Sequence, residues 1–385
     1  MPIITNIEDL RRIARRKVPR ALFQYVDHGS YDEVTMRANA NELRDIRLRQ
    51  RVLMETAPAS LATTLLGESL SMPVAIAPTG LTGLLHGDGE MLAARAAESM
   101  GTRYTLSTMS ICTIEDVRSA TTQPFWFQLY VFRDRDFAAS LIERASAAGC
   151  SALFVTVDLP TRGQRHPDLK NGLSVPPRIT LRSAFDFARR PSWAMKVLMG
   201  KRKSFGNVEH FLKGRANVFM AGAWANDNFE PNLTWRDIDW IRNRWPGKLV
   251  LKGVTDVEDA RMAVSAGVDG IVVSNHGGRQ LDGAPATIAT LPRVADAVGD
   301  RLEVLFDGGI RSGQDVLKAL ALGARGCLIG RAYLYGLMAM GEAGVRTALD
   351  VIAKEMQVTM ALTGVRDVNR ISSDILYDVP EQRPH

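Results

Sequence analysis

Short runs rich in Val, Ile, Leu and Phe recur along the chain, and most are followed by a stretch whose apolar positions repeat with helical spacing. Eight such runs stand out: 73–78 (PVAIAP), 103–107 (RYTLS), 125–130 (FWFQLY), 152–157 (ALFVTV), 248–253 (KLVLKG), 270–274 (GIVVS), 303–307 (EVLFD) and 326–330 (GCLIG). They are mostly continuous rather than alternating, the pattern of parallel strands covered on both faces. Between them the spacing predicts amphipathic helices over 88–100, 135–148, 256–266, 287–298 and 312–322. Eight strand-then-helix units predict an α/β chain of the (β/α)8 TIM-barrel class. A doubly wound open sheet is the competing architecture, and the count of eight favours the barrel.

Two regions lie outside this repeat. Residues 1–72 read as helical, then turn-rich: an N-terminal extension that closes the barrel or lends residues to a site. The stretch 163–247 separates the fourth and fifth runs and is far longer than an ordinary strand-to-helix connection. The chain is therefore expected to form one unit over 1–385, with barrel segments at 73–162 and 248–377 and a long insert after the fourth strand.

Charge singles out the same insert. Ten Lys and Arg against two acids lie between Arg178 and Arg215, so this stretch alone carries +8 of a net +6 and leaves −2 elsewhere. A basic segment on an otherwise slightly acidic protein does not suit broad nucleic-acid binding. It is interleaved with Phe185, Phe187, Trp193, Met195, Val197, Leu198, Met199, Phe205 and Phe211, a composition that suits an interfacial segment on anionic lipid. Three scattered cysteines (Cys112, Cys150, Cys327) give neither a disulfide framework nor a zinc cluster, so no metal is expected. The N-terminus lacks the apolar run of a secretory signal, which places the expected compartment on the cytoplasmic side.

Polar groups stand at nearly every strand end, where a barrel keeps its chemistry. In order they are Pro78-Thr79-Gly80, Ser107, Gln128 with Tyr130, Thr156 with Asp158, Lys252, Ser274 with His276, Asp307-Gly308-Gly309 with Arg311, and Gly330-Arg331. The last two ends make a phosphate site: Gly308-Gly309 lets backbone approach an anion, Arg311 adds charge, and Gly330-Arg331 opens a helix with free N-terminal amides. His276 is an imidazole poised to take a proton from a substrate hydroxyl or α-carbon. Arg279 beside it, and Arg165 after the fourth strand, offer guanidinium groups to a carboxylate. Asp158 is placed to orient His276 and favour its protonated form. Lys252 fits either a Schiff-base lysine or a fixed cation beside a cofactor that becomes anionic.

The stretch SNHGGRQLDG at 274–283 resembles a motif of the FMN-dependent 2-hydroxy acid dehydrogenase and oxidase family. The resemblance extends over nearly the whole chain through QYVDHGS, PVAIAPTGL, TLSTMS, WFQLYV, TVDLP, VLKGV, FDGGIR, KALALGA and MALTG, and its wording is nearest to bacterial membrane-associated L-lactate dehydrogenases. It implies FMN as cofactor, His276 as base with Asp158 as partner, and Arg279 and Arg165 on the substrate carboxylate, helped by Tyr25 and Tyr130. Lys252 would face the flavin, against the Schiff-base role. Pro78, Thr79, Gly80, Ser107, Gln128, Thr156 and Ser274 would contact the flavin ring or ribityl chain. Asp307, Gly308, Gly309, Arg311, Gly330 and Arg331 would hold the ribityl–phosphate end.

Two positions depart from the oxidase pattern. Met109 stands where glycolate oxidase-like members carry a large aromatic at the substrate pocket, and Gly80 where many oxidases have alanine. Met109 implies a side-chain pocket of different shape and counts against glycolate as substrate, and Gly80 leans towards a dehydrogenase that disfavours oxygen. The resemblance thus implies oxidation of L-lactate to pyruvate, with electrons passed to membrane quinone by a peripheral protein on the cytoplasmic side of the inner membrane, assembled as a homotetramer. The runners-up are a mandelate-type dehydrogenase and a soluble oxidase that makes peroxide.

Overall fold

The computed structural model describes residues 3–54, 59–172, 181–209, 224 and 227–377. Eight parallel strands form one sheet: β1 (Val74–Ile76), β2 (Thr105–Ser107), β3 (Trp126–Leu129), β4 (Ala152–Thr156), β5 (Lys248–Lys252), β6 (Gly270–Val273), β7 (Glu303–Asp307) and β8 (Gly326–Ile329). Each pairs with its chain neighbour from β2 to β8, and β8 pairs with β1. A parallel bridge between Ile76 and Tyr104, with the Ile76 amide donating to the Arg103 carbonyl at 2.8 Å, brings β1 beside β2 and closes the cylinder. The barrel expectation is correct: every expected strand is present, Glu303–Asp307 with the expected bounds and the other seven in a shorter form.

Helices follow the strands at Gly89–Ser99, Ile114–Ala120, Arg135–Ala147, Val257–Ser265, Thr287–Val298, Gly313–Ala321 and Arg331–Met340. The short helix after β2 has no clear helical periodicity, because only Ile114 and Val117 carry its apolar face. Inside the barrel, Ala75, Trp126, Phe154, Val250, Val272, Leu305 and Leu328 form a separate buried cluster. The hairpin Thr63–Leu65/Glu68–Leu70 plugs its lower end by adding Leu65, Leu66 and Leu70 to that cluster.

Side chains alternate across a strand, so each inward apolar residue predicts what stands two positions on. Trp126 gives Gln128, Phe154 gives Thr156, Val250 gives Lys252, Val272 gives Ser274 and Leu305 gives Asp307. These form a polar layer at the C-terminal mouth. Ser107 Oγ donates to Gln128 Oε1 at 2.9 Å, and Gln128 Nε2 donates to Thr156 Oγ1 at 2.9 Å. Lys252 Nζ donates to Ser274 Oγ at 2.9 Å and pairs with Asp307 at 2.8 Å.

In the N-terminal extension α1 (Ile7–Lys17) packs against the helix Arg331–Met340, while α2 (Arg20–Asp27) and α3 (Val34–Asp45) reach the mouth. Asn39 of α3 and Asn275 exchange side-chain hydrogen bonds at 2.8 and 2.9 Å. Among the described residues no helix is long and apolar enough to cross a membrane.

Candidate functional site

A cleft of about 430 Å³ opens above the polar layer. Lys252, Arg162, Arg165, Arg279, Arg311 and Arg331 line it, against Asp168 and Asp307, so its field favours anions. The cations fall into two groups. Arg165 and Arg279 lie over the Tyr25 ring, 5.4 and 4.9 Å from its centroid. Arg311 lies over Tyr335 at 5.6 Å, with Arg331 at the start of its helix.

His276 stands at the centre in a left-handed conformation, φ +58°, followed by Gly277 and Gly278 at +65° and +71°. A non-glycine residue in that region costs about 1–3 kcal/mol and persists only where its surroundings fix it. Here the His276 amide donates to Ser274 Oγ at 3.1 Å, and Nδ1 lies 3.1 and 3.2 Å from the two Asp158 oxygens. With Nδ1 engaged by the carboxylate, Nε2 is the nitrogen left for a ligand. Burial pushes the Asp158 carboxyl up, but His276 and Lys252 outweigh it and hold it below its ordinary value. Burial pushes Lys252 down, but Asp307 and Asp158 outweigh it and raise the ammonium above its ordinary value. The lysine is therefore a fixed cation, and an amine held charged is a poor nucleophile for a Schiff base.

Arg279 is pulled down to about 10 by burial and by the neighbouring Arg165, and stays charged at neutral pH. Its Nη1 donates to the Tyr25 and His28 carbonyls at 2.6 and 3.2 Å. Arg331 donates to the carbonyls of Val26, Gly277 and His28 at 2.8, 2.8 and 3.0 Å. The carbonyl end of α2, where the helix dipole is negative, thus anchors both buried guanidiniums. Arg165 Nε is held by Asp168 at 2.6 Å.

Most expected site residues come together here. Tyr25, Pro78, Thr79, Gly80, Ser107, Met109, Tyr130, Arg165, Lys252, His276, Arg279, Asp307, Gly309, Arg311, Gly330 and Arg331 line the cleft. Asp158 sits behind His276. Gln128, Thr156 and Ser274 lie in the polar layer beneath, bonded to one another or to Lys252 and Asp307. The physical reason for Gly308-Gly309 differs from the one expected. A Cβ on Gly308 would lie 2.2 Å from Thr287 Oγ1, and one on Gly309 would lie 2.4 Å from the Asn39 carbonyl, so protein packing requires both glycines.

Several residues of the site carried no strong sequence signal. Arg162 is visible only as one more arginine in TRGQR. Gln280 Nε2 ties the Asp158 and Thr161 carbonyls at 2.8 and 2.9 Å. Phe187, Trp193, Val197, Phe205 and Phe229, all from the insert, form an apolar wall. Glu90 is fully buried, and its Oε1 accepts from the Gly83 and Ile111 amides, both at 2.9 Å, tying the loops after β1 and β2.

An elongated ligand with an anionic end fits this cleft. The helix Arg331–Met340 has no side-chain cap, so its first amides are free for a phosphate. A side chain at Gly330 would meet nothing nearer than Thr79 Cγ2 at 4.0 Å and would project into the cleft. Lys252 supplies a buried positive charge between the phosphate end and His276.

Comparisons with known proteins agree with this arrangement. The FMN-dependent dehydrogenase family matches residues 14–378. L-lactate dehydrogenase of Caulobacter vibrioides (strain NA1000 / CB15N) is 52% identical over 375 residues, covering 97% of this chain and 98% of that protein. L-lactate dehydrogenase of Stenotrophomonas maltophilia (strain R551-3) is 49% identical over 379 residues, covering 98% and 100%. Among solved structures, the monotopic membrane protein (S)-mandelate dehydrogenase superposes with a TM-score of 0.93 at 34% identity, over 98% of this chain and 100% of that one. A buried lysine, an Asp-backed histidine and two clusters of arginine on a closed barrel, matched along nearly the full chain, show that this protein belongs to the FMN-dependent dehydrogenase family.

Proposed function

We propose that the protein oxidises L-lactate to pyruvate and passes the electrons to a membrane quinone while attached peripherally to the lipid surface. The observation that carries the reading is the Asp158–His276 pair facing a cleft with two arginines at one end. Arg279 and Arg165, with Tyr25 between them, hold the carboxylate, and the Tyr130 hydroxyl helps to orient it. His276 removes a proton from the α-hydroxyl or α-carbon, and Asp158 stabilises the imidazolium that forms. FMN, when bound, accepts the two electrons. Lys252 would place a positive charge beside the flavin ring, while Pro78, Thr79, Gly80, Ser107, Asp307, Gly309, Gly330, Arg311 and Arg331 would hold the ring, ribityl chain and phosphate. Gln128, Thr156, Ser274 and Gly308 support this set from below.

The insert supports attachment. Phe185, Met195, Leu198 and Met199 are exposed by 61, 61, 70 and 77%, amid Arg189, Arg190, Lys196, Lys201, Arg202 and Lys203. Residues 178–180 and 210–215 of the basic segment lie outside the described residues. We further propose a homotetramer on the cytoplasmic side of the inner membrane, to be checked by mass measurement and cell fractionation. Met109, buried at the cleft wall, leaves room for a larger acid, and mandelate is the second substrate to try.

The deciding experiment is an anaerobic absorbance spectrum of the purified protein before and after a panel of L- and D-2-hydroxy acids. A yellow protein bleached fastest by L-lactate is expected. Bleaching by D-acids alone, or none, refutes the reading.

A further inference from the structure

The helix Pro191–Met199 has two apolar faces with different surroundings. Trp193 and Val197, one turn apart, are half-buried and line the cleft together with Phe187. Met195, Leu198 and Met199 point outward. Trp193 Nε1 donates to the Leu84 carbonyl at 2.9 Å, and the Lys201 amide donates to Asp88 Oδ1 at 2.7 Å. A Cβ on Gly87 would lie 2.0 Å from the Lys196 carbonyl, so the helix rests backbone to backbone on the loop after β1. Leu22, Leu81 and Leu84 form the facing wall, and Leu81 directly follows the Pro78–Gly80 turn.

The cleft is therefore cationic at one end and apolar at the end roofed by the insert. A small hydroxy acid needs the arginines and has no group that fills an apolar wall of Phe187, Trp193, Val197, Leu81 and Leu84. Resting on the proposed membrane-attached, quinone-reducing reading, we infer that this wall is the docking site of a lipid-soluble quinone, which enters beside the outward face of the same helix. The redox balance closes without another reactant. Oxidation of the acid releases two electrons and two protons, and the quinone takes up two of each to become hydroquinone, with FMN as the carrier between them. A buried apolar contact discriminates between ligands by the apolar area it removes from water, so the tail of the acceptor is what the wall should read.

The test uses full-length holoenzyme in detergent, reduced anaerobically with L-lactate and mixed with decylubiquinone or with the tail-less 2,3-dimethoxy-5-methyl-1,4-benzoquinone. Wild type should reoxidise with a preference of about tenfold or more for the tailed quinone, on the order of one well-buried apolar group. Trp193→Ala should collapse that preference, and Val197→Asn, a smaller change on the same face, should do so independently if the first variant does not fold. Absence of a preference in wild type overturns the inference. So does a variant that slows flavin bleaching by L-lactate while keeping the preference, because the wall would then belong to the acid's pocket. Co-sedimentation with anionic vesicles, measured in parallel, reports on attachment separately: a tail preference without vesicle binding supports the docking site and removes only the membrane.

Discussion

The barrel mouth and the insert reach the same cleft by different physical routes. At the mouth, Gln128, Thr156, Lys252, Ser274 and Asp307 are placed by strand alternation: once the apolar residue two positions earlier faces inward, the polar one must. The insert is placed by docking. Trp193 reaches Leu84, Gly206 reaches Ile111, Asn207 reaches Ser110 and Ile114, and Lys201 and Arg202 converge on Asp116. Every one of these contacts spans roughly a hundred residues of sequence, and none follows from periodicity. The mouth supplies charged and hydrogen-bonding groups, whereas the insert supplies apolar surface to the cleft on one side and to its surroundings on the other.

Removing the base should break the chemistry while leaving both regions folded. His276→Ala should slow flavin bleaching by L-lactate by about 10²–10⁴-fold, with a yellow protein and unchanged vesicle association. Near-normal bleaching would remove His276 from the mechanism. The next largest effect should come from the polar layer. Lys252→Met leaves the partly buried Asp307 without its cation, a change that costs up to about 3–5 kcal/mol, the range for deleting one partner of a buried pair. Urea unfolding of Lys252→Met, and of Lys252→Met/Asp307→Leu, checks this: the double variant should recover most of the loss. Equal losses in both would mean that the pair is not what stabilises the mouth.

This difference also sets what the sequence discloses. The eight strands were legible because runs such as ALFVTV and KLVLKG leave no polar face, and the strand-end polar residues were legible as interruptions of those runs. Asp158 and His276 could be paired because they follow β4 and β6, the two strands that flank β5, at the same end of the cylinder. Asn39 and Glu90 were not legible. Each sits in an ordinary helix, and its role appears only when that helix meets the loops it bonds. Position alone makes Arg331 a phosphate ligand, yet its guanidinium is engaged by three carbonyls, one from α2 and one from the residue that caps it, whose approach no local pattern announces. The two faces of the Pro191–Met199 helix look alike in sequence, since both are apolar.

The outward face can be altered without touching the mouth. Met195→Ser/Leu198→Ser/Met199→Ser should lower partition onto anionic vesicles by about 100-fold, taking roughly 1 kcal/mol for each partly buried side chain. Bleaching by L-lactate in detergent should stay at the wild-type rate. Unchanged co-sedimentation would place the attachment elsewhere.

The smallest effect is that of Glu90→Gln, at a residue that lies where the two regions join. Its Oε1 holds the Gly83 and Ile111 amides, and the same loops receive Trp193 through the Leu84 carbonyl and Gly206 through the Ile111 carbonyl. Burial raises its carboxyl above the ordinary value. The folded state therefore binds the proton more tightly than the unfolded state does. The stability this contributes is fully present below the unfolded pKa and is lost as pH rises through the folded one. Glu90→Gln keeps an oxygen for both amides and removes the titration. Between those two pKa values wild type should lose stability relative to Glu90→Gln by at most about 1.4 kcal/mol per pH unit. Urea midpoints from pH 5 to 8 should diverge in favour of the glutamine variant, and parallel curves would show that the carboxyl does not titrate there. Glu90→Ala, which deletes the acceptor and leaves two buried amides unpaired, should lose about 1–3 kcal/mol per amide at every pH. A pH-dependent change in one variant beside a pH-independent loss in the other would assign Glu90 the work of holding the insert's footing against the barrel.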